Sequence, residues 1–268
     1  MTAGTRNAVA LVLAGTRAPG EPVAAAGGKS CKAFVEVGGR PMIEHVLDTL
    51  ADSGRADAVR VALDAEAPAE TEAPGLAERF ADGRAGRVPP GETPTACVLA
   101  QLDTLPDDTP LLVVTGDHPL LEPRVVREVL DAAAREGADA AAAFATSASV
   151  SAAYPHARRT RLAFADGGYS GCNVFALMTP GARRMVEAWR RLENKRKRPW
   201  RMALAIGPVT VALYLLKRLT LRRALDRLGR RVGVTLRPVV VDSAEAAIDV
   251  DKLDDLALVR EILDDEAG

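Results

Sequence analysis

The chain has few cysteines and almost no net charge, and both shortages exclude classes of protein. Its 268 residues include 3 cysteines, Cys31, Cys97 and Cys172, which lie far apart and form no Cys-x-x-Cys pair. A disulfide framework or a zinc site is therefore not expected, and this usage favours a reducing, cytoplasmic compartment. The formal net charge is -1, so the molecule as a whole has no nucleic-acid-binding signature.

Histidine is also scarce, and the first residues carry no recognisable export signal. His45, His118 and His156 are spaced without a metal-binding pattern. Residues 1–7 lack the apolar core of a signal peptide, which agrees with the expected cytoplasmic location. The remaining composition, with 48% hydrophobic and 26% charged residues, is ordinary for a globular protein.

Strand and helix patterns alternate along the first half of the chain. Ala8–Leu13 and Leu111–Thr115 are continuous apolar runs, which are typical of strands buried on both faces. The order of elements predicts a Rossmann-like three-layer α/β/α fold with a mostly parallel sheet. The other elements predicted here are strands at 58–63, 86–88 and 138–144, helices at 41–50, 125–135 and after a cap at Thr93 or Thr95, and a surface loop at 65–74.

The second half is less regular and contains an unusual basic segment. It is predicted to have strands at 158–164, 172–177 and 237–241 and helices at 180–192 and 253–263. We expect a single domain over residues 1–268, with a basic helical insertion at about 195–231. Two interpretations of the insertion stay open. It packs over the acceptor pocket or forms a homodimer interface, or residues 196–223 contact an anionic membrane as a peripheral surface.

The loop after the first strand is rich in glycine and ends in basic residues. In α/β folds, the loop at the carboxyl end of the first strand binds nucleotides. Glycines let backbone N–H groups approach phosphates, and Lys or Arg side chains neutralise them. Lys32 and Arg17 are therefore candidates for contact with nucleotide phosphates, with Lys29 as a substitute. The alternative is that Lys32 is a solvated surface residue.

Four motifs in order along the chain resemble those of the MobA-like nucleotidyltransferases. This superfamily contains sugar-phosphate, polyol-phosphate and molybdenum-cofactor nucleotidyltransferases. The motifs are Leu13-Ala14-Gly15 with Lys32 after it, Gly38-Gly39-Arg40-Pro41-Met42, Gly116-Asp117, and residues 249–256. The resemblance runs from the first strand to the last helix and implies a GT-A-like nucleotidyltransferase fold. It does not account for the basic insertion.

The resemblance implies a nucleoside triphosphate substrate and Mg²⁺ as cofactor. CTP or GTP is favoured as the nucleotide, and the sequence does not decide the base. An acceptor phosphate would attack the α-phosphorus in line, and pyrophosphate would leave. The resemblance implies that Lys32, Arg17 and Asp117 are catalytic and that Asp117 and Asp249 hold the metal, with Asp251 as substitute for Asp249. The nucleotide-binding residues would be Leu13, Ala14, Gly15, Thr16, Lys32, Pro90, Gly91, Thr95 and Gly116. Turn formation by Asp117 and helix capping by Asp251 or Asp254 are the structural alternatives.

The expected acceptor is a small phosphorylated sugar, polyol or alcohol. Arginine side chains suit a phosphate because the guanidinium can donate two parallel hydrogen bonds. The alternative for each arginine is a solvated strand face. The candidate acceptor-binding residues are Arg159, Arg161, Tyr169 and Asn173, with Arg158 beside them.

Two other functional classes remain at this stage. A glycosyltransferase of similar architecture would bind a nucleotide sugar through an Asp-x-Asp motif, but the chain has Asp117-His118-Pro119 at that place. A non-catalytic nucleotide-binding or membrane-adaptor protein would keep Lys32 but would not need both Asp117 and Asp249. Because both aspartates are present, the sequence favours an enzyme.

Overall fold

The computed structural model describes residues 6–15, 20–157, 159–193 and 207–267. Within these residues, a mixed eight-stranded sheet is covered by helices, and a second sheet has two strands. The strands are β1 (Ala8–Leu13), β2 (Glu36–Val37), β3 (Arg40–Pro41), β4 (Ala56–Ala62), β5 (Gly86–Val88), β6 (Leu111–Thr115), β7 (Ala140–Thr146), β8 (Leu162–Phe164), β9 (Gly167–Leu177) and β10 (Leu236–Val241). The helices are α1 (Pro22–Ala26), α2 (Met42–Ser53), α3 (Ala69–Glu72), α4 (Pro74–Ala81), α5 (Pro94–Leu102), α6 (Pro123–Arg135), α7 (Ser147–Ala153), α8 (Ala182–Glu193), α9 (Pro208–Leu215), α10 (Leu221–Val232) and α11 (Leu253–Ala267).

The large sheet is mostly parallel, as the sequence predicts. Its strand order is β10-β7-β9-β6-β1-β4-β5, and β8 pairs with β9 outside this path. β1 is parallel to both β4 and β6, and β7 is parallel to β10. β9 is the exception, because it runs antiparallel to both β6 and β7. The carboxyl ends of β1, β4 and β6 therefore meet at one edge.

The sheet is buried on both faces. Ala10 and Val12 of β1 lie in one apolar core, and Val9 and Leu11 lie in another. Successive side chains of a strand point to opposite faces, so a strand covered on both sides needs a continuous apolar run. This is why the pattern at Ala8–Leu13 predicts its strand with the bounds that the structure has.

Several predicted elements need correction. The loop predicted at 65–74 contains α3 and the start of α4, whose turns are anchored by the buried residues Ala69 and Leu76. The strand predicted at 158–164 is limited to β8. β9 begins at Gly167 rather than at Cys172, because β8 and β9 form a hairpin. The sequence analysis also missed α1 and α7.

The insertion is helical where the structure describes it. α9 and α10 cover most of residues 208–231, while residues 195–206 lie outside the described residues. Of the helices that the structure describes, none is both long and apolar enough to cross a membrane.

Candidate active site

The loops after β1, β4 and β6 are joined by main-chain hydrogen bonds. The N–H of Gly116 donates to the carbonyl of Leu13 at 2.9 Å, and the N–H of Ala14 donates to that of Ala62 at 3.0 Å. Gly116 is packed so closely that a Cβ there would lie 3.2 Å from the Cβ atoms of Ala14 and Ala33. Because β6 ends at this crowded edge, the side chain of the next residue, Asp117, faces the loop that follows β1.

Three carboxylates converge at this edge. Asp117, Asp249 and Asp251 each offer one oxygen, and the three oxygens lie within 4.8 Å of one another. The N–H of Val250 donates to the main-chain carbonyl of Asp117 at 2.9 Å, which fixes the second segment to the first. Ile248 and Val250 are buried in an apolar cluster with α11, so alternation along the chain leaves Asp249 and Asp251 on the side of the site.

Lys32 forms ion pairs with two of these carboxylates. Its Nζ atom lies 2.5 Å from Oδ2 of Asp117 and 3.1 Å from Oδ1 of Asp251. Burial alone would lower the pKa of Lys32, but Asp117 and Asp251 outweigh it, and the pKa is raised above its ordinary value. The ammonium group is therefore charged at neutral pH.

Asp249 is held by two side chains of the opposite wall. Nη1 of Arg159 donates to its Oδ1 at 2.8 Å, and Nδ2 of Asn173 donates to its Oδ2 at 2.7 Å. Burial raises the pKa of Asp249 to about 6. Asp117 and Asp251 add to that rise, and Arg159 opposes it. Asn173 reaches this position from left-handed backbone, with φ of 52°, a conformation that Asn tolerates better than most residues.

Arg159 also connects the site to the start of α11. Its Nη2 atom lies 3.3 Å from Oδ1 of Asp255. The other oxygen of Asp255 accepts from the N–H groups of Asp251 at 3.1 Å and Lys252 at 3.0 Å. Asp255 thus caps the helix and fixes the backbone of Asp251. The sequence analysis did not identify Asp255 as a site residue, although a carboxylate in the first helical turn was a usable signal.

The carboxylate cluster has the donor chemistry for a hard divalent cation. Carboxylate oxygens are the protein ligands that Mg²⁺ prefers, alongside water and substrate phosphate. Oδ1 of Asp117 is buried and has no hydrogen-bond partner among the described residues, so it offers a free lone pair at the cluster. Asp117, Asp249 and Asp251 therefore suit Mg²⁺.

The loop after β5 adjoins the loop after β1. A Cβ on Gly15 would lie 2.5 Å from Cβ of Pro90, so the two loops touch at a position that admits only glycine without movement. Gly91 has φ of +69°, and a Cβ there would lie 2.9 Å from the N atom of Cys97. Thr93 caps α5 by accepting from the N–H of Ala96 at 3.2 Å. Backbone of the two loops thereby frames the start of α5.

A contact between a buried hydroxyl and a partly buried carboxylate lies beside these loops. Thr95 is buried, and its hydroxyl donates to Oε2 of Glu193 at the end of α8. Oγ1 of Thr95 also lies 3.1 Å from Oγ1 of Thr93. Glu193 was not identified from the sequence, where nothing local connects the end of α8 with the start of α5.

The structure separates the four candidate acceptor residues. Arg159 and Asn173 are engaged with Asp249, as described above. Arg161 is exposed and lies over Gly168, where a Cβ would be 2.5 Å from its Nε. Tyr169 is buried, with its ring centroid 6.2 Å from that of Phe164. Their acceptor roles stay predictions. Thr16, Arg17 and Arg158 lie outside the described residues.

His118, Cys97 and Cys172 do not contribute charge or a thiolate to the site. Burial lowers the pKa of His118 to about 4, so its ring is neutral at physiological pH. Burial raises the pKa of Cys97 to about 11 and that of Cys172 to about 12. The thiolate is the reactive form, and both buried thiols stay protonated at neutral pH, which suits packing residues.

Comparison with known proteins gives one family and several structural neighbours. The MobA-like NTP transferase domain matches residues 10–206. A hypothetical transferase from Thermus thermophilus is 29% identical, with a TM-score of 0.75, over 93% of this chain and 99% of that chain.

Two further neighbours carry more specific names. A 4-diphosphocytidyl-2C-methyl-D-erythritol synthase from Anaerococcus prevotii is 14% identical, with a TM-score of 0.57, over 97% of this chain and 99% of that one. A CMP:2-keto-3-deoxy-manno-octonic acid synthetase complexed with CTP is 17% identical, with a TM-score of 0.61 and the same coverage. At these identities the likeness concerns the fold.

Proposed function

The chain belongs to the MobA-like NTP transferase domain family, and on that premise we propose that it transfers a nucleoside monophosphate from an NTP to a small phosphorylated acceptor. The acceptor would be a sugar, polyol or alcohol phosphate, and pyrophosphate would be the second product. CTP and GTP are the favoured nucleotides. CTP is the first to test, because two of the structural neighbours are named for cytidyl transfer or hold CTP.

One observation carries this proposal. The ammonium of Lys32 bridges Asp117 and Asp251, and the carboxylate of Asp249 lies beside them at the edge where β1, β4 and β6 end. Nucleotidyl transfer needs neutralisation of the triphosphate and alignment of the reacting groups more than it needs covalent help from the protein. A charged lysine and carboxylates that suit Mg²⁺ support this proposal, because the ammonium and a bound cation would together offset the charge of the triphosphate.

The cluster would hold Mg²⁺ through Asp117, Asp249 and Asp251. When bound, Mg²⁺ offsets negative charge on the triphosphate. Lys32 would donate to a phosphate oxygen, since its raised pKa keeps the ammonium protonated. Arg17, which comes from the loop after β1, is proposed to contact the same triphosphate.

The reaction forms one bond and breaks another at the α-phosphorus. An oxygen of the acceptor phosphate bonds to that atom, and the bond to the bridging oxygen of the pyrophosphate group breaks. Arg161 and Tyr169 are proposed to face the acceptor. Arg159 and Asn173 are proposed to contribute to the reaction mainly by orienting the carboxylate of Asp249. Pro90, Gly91 and Thr95 are proposed to contact the base.

Pyrophosphate release tests the proposal directly. The four NTPs would be assayed with Mg²⁺ against a panel of sugar, polyol and alcohol phosphates. We expect release with one NTP and one acceptor class, and a loss of about 100-fold or more in Asp117→Asn. Asp254→Asn is the matched control, because Asp254 is an exposed aspartate at the start of α11 outside the cluster. Absence of release with every pair, or unchanged release in Asp117→Asn, contradicts the proposal.

A further inference from the structure

The hairpin formed by α9 and α10 carries an exposed apolar face. α9 contains no charged residue. Val209, Ala212 and Leu216 are spaced so that they share one side of the helix, and all three are exposed. Leu216 is 65% exposed, and its neighbour Leu215 is 73% exposed. Single exposed apolar residues are common, but a contiguous group of them marks an interaction surface.

The same hairpin is strongly basic. Residues 207–233 contain seven Lys and Arg residues and one Asp, a formal charge of +6 in a chain whose net charge is -1. The single acidic residue, Asp226, is paired with Arg237 of β10 at 2.7 Å. Within the described residues, no ion pair involves Lys217, Arg218, Arg223 or Arg230. Their charge is therefore available to an external anion.

Arginine and apolar side chains meet in two grooves between the helices. One groove, of about 380 Å³, is lined by Val209 and Thr210 together with Arg227 and Arg230. The other, of about 410 Å³, is lined by Leu213 together with Arg218 and Arg223. Guanidinium groups bind phosphate through paired hydrogen bonds. Each groove thus places phosphate-binding groups next to aliphatic surface.

We propose that the α9–α10 hairpin docks on an anionic phospholipid surface. Leu215 and Leu216 enter the interfacial layer, and the arginines of the grooves meet the lipid phosphates. The charge disfavours a symmetric contact with a second copy, because such an interface would bring two basic patches together. Nucleic acid is a poorer occupant. The hairpin's one aromatic residue, Tyr214, packs against Phe164 and is not exposed for base stacking.

The hairpin is attached firmly to the rest of the molecule. The N–H of Ala165 donates to the carbonyl of Leu219 at 2.8 Å, and the N–H of Leu221 donates to Oδ1 of Asp166 at 3.1 Å. Both contacts join it to the turn between β8 and β9. The docking surface is thus a fixed part of the fold, and it does not depend on the proposed nucleotidyl transfer.

Vesicle co-sedimentation of the full chain tests this proposal. The vesicles would be phosphatidylcholine alone or phosphatidylcholine with about one third phosphatidylglycerol, at low and high ionic strength. We expect binding only to the anionic vesicles, weakened by salt. The double variant Leu215→Ser/Leu216→Ser should bind about 10-fold less well, and Arg218→Glu/Arg223→Glu should bind about 10-fold less well or not at all.

Matched variants outside the hairpin distinguish specific docking by this surface from non-specific binding to vesicles. Val240→Ser removes an apolar side chain that is 43% exposed on β10, and Arg84→Glu reverses an exposed charge near α4. Both controls should bind vesicles like the parent chain. The proposal is overturned if the anionic vesicles are not bound, or if both hairpin variants bind them as well as the parent. It is also overturned if the hairpin variants lose dimerisation or RNA binding while vesicle binding is unchanged. Unchanged thermal unfolding confirms that the variants are folded.

Discussion

Arg159 holds Asp249 at two points. Nη1 lies 2.8 Å from the carboxylate oxygen Oδ1, and Nη2 lies 2.6 Å from the main-chain carbonyl oxygen. Both side chains are largely buried, with 10% and 14% of their surfaces exposed. An arginine that grips the side chain and the backbone of one residue fixes the direction in which the remaining carboxylate oxygen points.

Replacement of Arg159 should weaken metal binding and activity together. In Arg159→Gln, the carboxylate of Asp249 loses the guanidinium that orients it. Loss of a residue that orients a metal ligand typically lowers metal affinity or activity by roughly 10–100-fold. We expect Mn²⁺ affinity, measured by electron paramagnetic resonance, and pyrophosphate release to fall together. Arg159→Lys should not restore them, because a lysine cannot make both contacts.

Arg161→Gln is the natural comparison for that variant. Arg161 is an exposed arginine two positions along the chain, without an ion pair to the carboxylate cluster within the described residues. If it contacts the acceptor, its loss should raise the KM for the acceptor and leave Mn²⁺ affinity unchanged. An equal loss of Mn²⁺ affinity in both variants would show that Arg159 does not position Asp249 specifically.

Replacement of Lys32 should slow pyrophosphate release without lowering the affinity for a divalent cation. Lys32→Met removes the ammonium that pairs with Asp117 and Asp251, so the carboxylates become more available to a divalent cation. We expect Mn²⁺ affinity in the absence of nucleotide to be unchanged or higher, and the rate of pyrophosphate release to fall by about 100-fold or more. Lys29→Met is the control, because Lys29 pairs with Glu36 outside the cluster. A fall in Mn²⁺ affinity in Lys32→Met would contradict this assignment.

The sequence predicts the strands of this fold better than their order. Leu111–Thr115 and Gly86–Val88 have the bounds that their local patterns predict. The first is a continuous apolar run because the strand is buried. The second has no buried residue, and its carboxyl end is marked by the turn residues Pro89-Pro90-Gly91. The place of β9 between β6 and β7, antiparallel to both, depends on pairing between distant segments. Local periodicity contains no information on that pairing.

The site also contains residues that a local sequence pattern identifies and contacts that no local pattern shows. Asp117 is visible as a carboxylate after a buried strand, while Asp249 was identified through the family resemblance. Their proximity comes from the hydrogen bond between Val250 and the carbonyl of Asp117, which no local pattern shows. Glu193 meets Thr95 only because α8 packs on α5. Such contacts depend on the assembled fold.

Asp249 and His118 should give opposite pH dependence to stability in the metal-free protein. The pKa of Asp249 is about 6 in the folded protein and about 4 in the unfolded chain. Between these pH values the folded state binds more protons than the unfolded state, so the free energy of unfolding falls as pH rises. His118 has a folded pKa of about 4, so over about pH 4 to 6.5 the unfolded chain binds its proton and stability falls as pH falls. Each effect is worth up to about 3 kcal/mol.

Two variants separate these effects. Asp249→Asn leaves the His118 effect unopposed and should lose more stability on acidification than the parent chain does. His118→Asn leaves the Asp249 effect and should lose less, or gain. Urea unfolding of each variant at both ends of this pH range, with a chelator present, measures the change in the free energy of unfolding. The contributions of the other titrating groups are shared by the two variants and cancel in the comparison. Equal pH dependence of the two variants would contradict the shifted pKa values.

Gly15 should be intolerant of a single methyl group. A Cβ there would lie 2.5 Å from Cβ of Pro90, so Gly15→Ala must push apart the loops after β1 and β5. We expect a loss of about 1–3 kcal/mol in the free energy of unfolding, together with weaker nucleotide binding by calorimetry. Gly86→Ala is the control, since its nearest neighbour, the carbonyl oxygen of Val59, lies 3.9 Å away. A stable Gly15→Ala that binds nucleotide normally would show that the two loops do not frame the nucleotide.

Glu193 should set the preference among bases if Thr95 contacts the base as predicted. A carboxylate accepts a hydrogen bond from the amino group of cytosine and repels the carbonyl oxygen that uracil has at that position. Glu193→Gln keeps the side-chain length and the contact with the Thr95 hydroxyl but removes the charge. We therefore expect the ratio of kcat/KM for CTP over UTP to fall by about 10-fold, an effect of about 1.4 kcal/mol. Glu187→Gln, on the same helix and paired with Arg183, should leave the ratio unchanged. If Glu193→Gln lowers kcat/KM equally for both nucleotides, Glu193 supports the start of α5 and does not discriminate between bases.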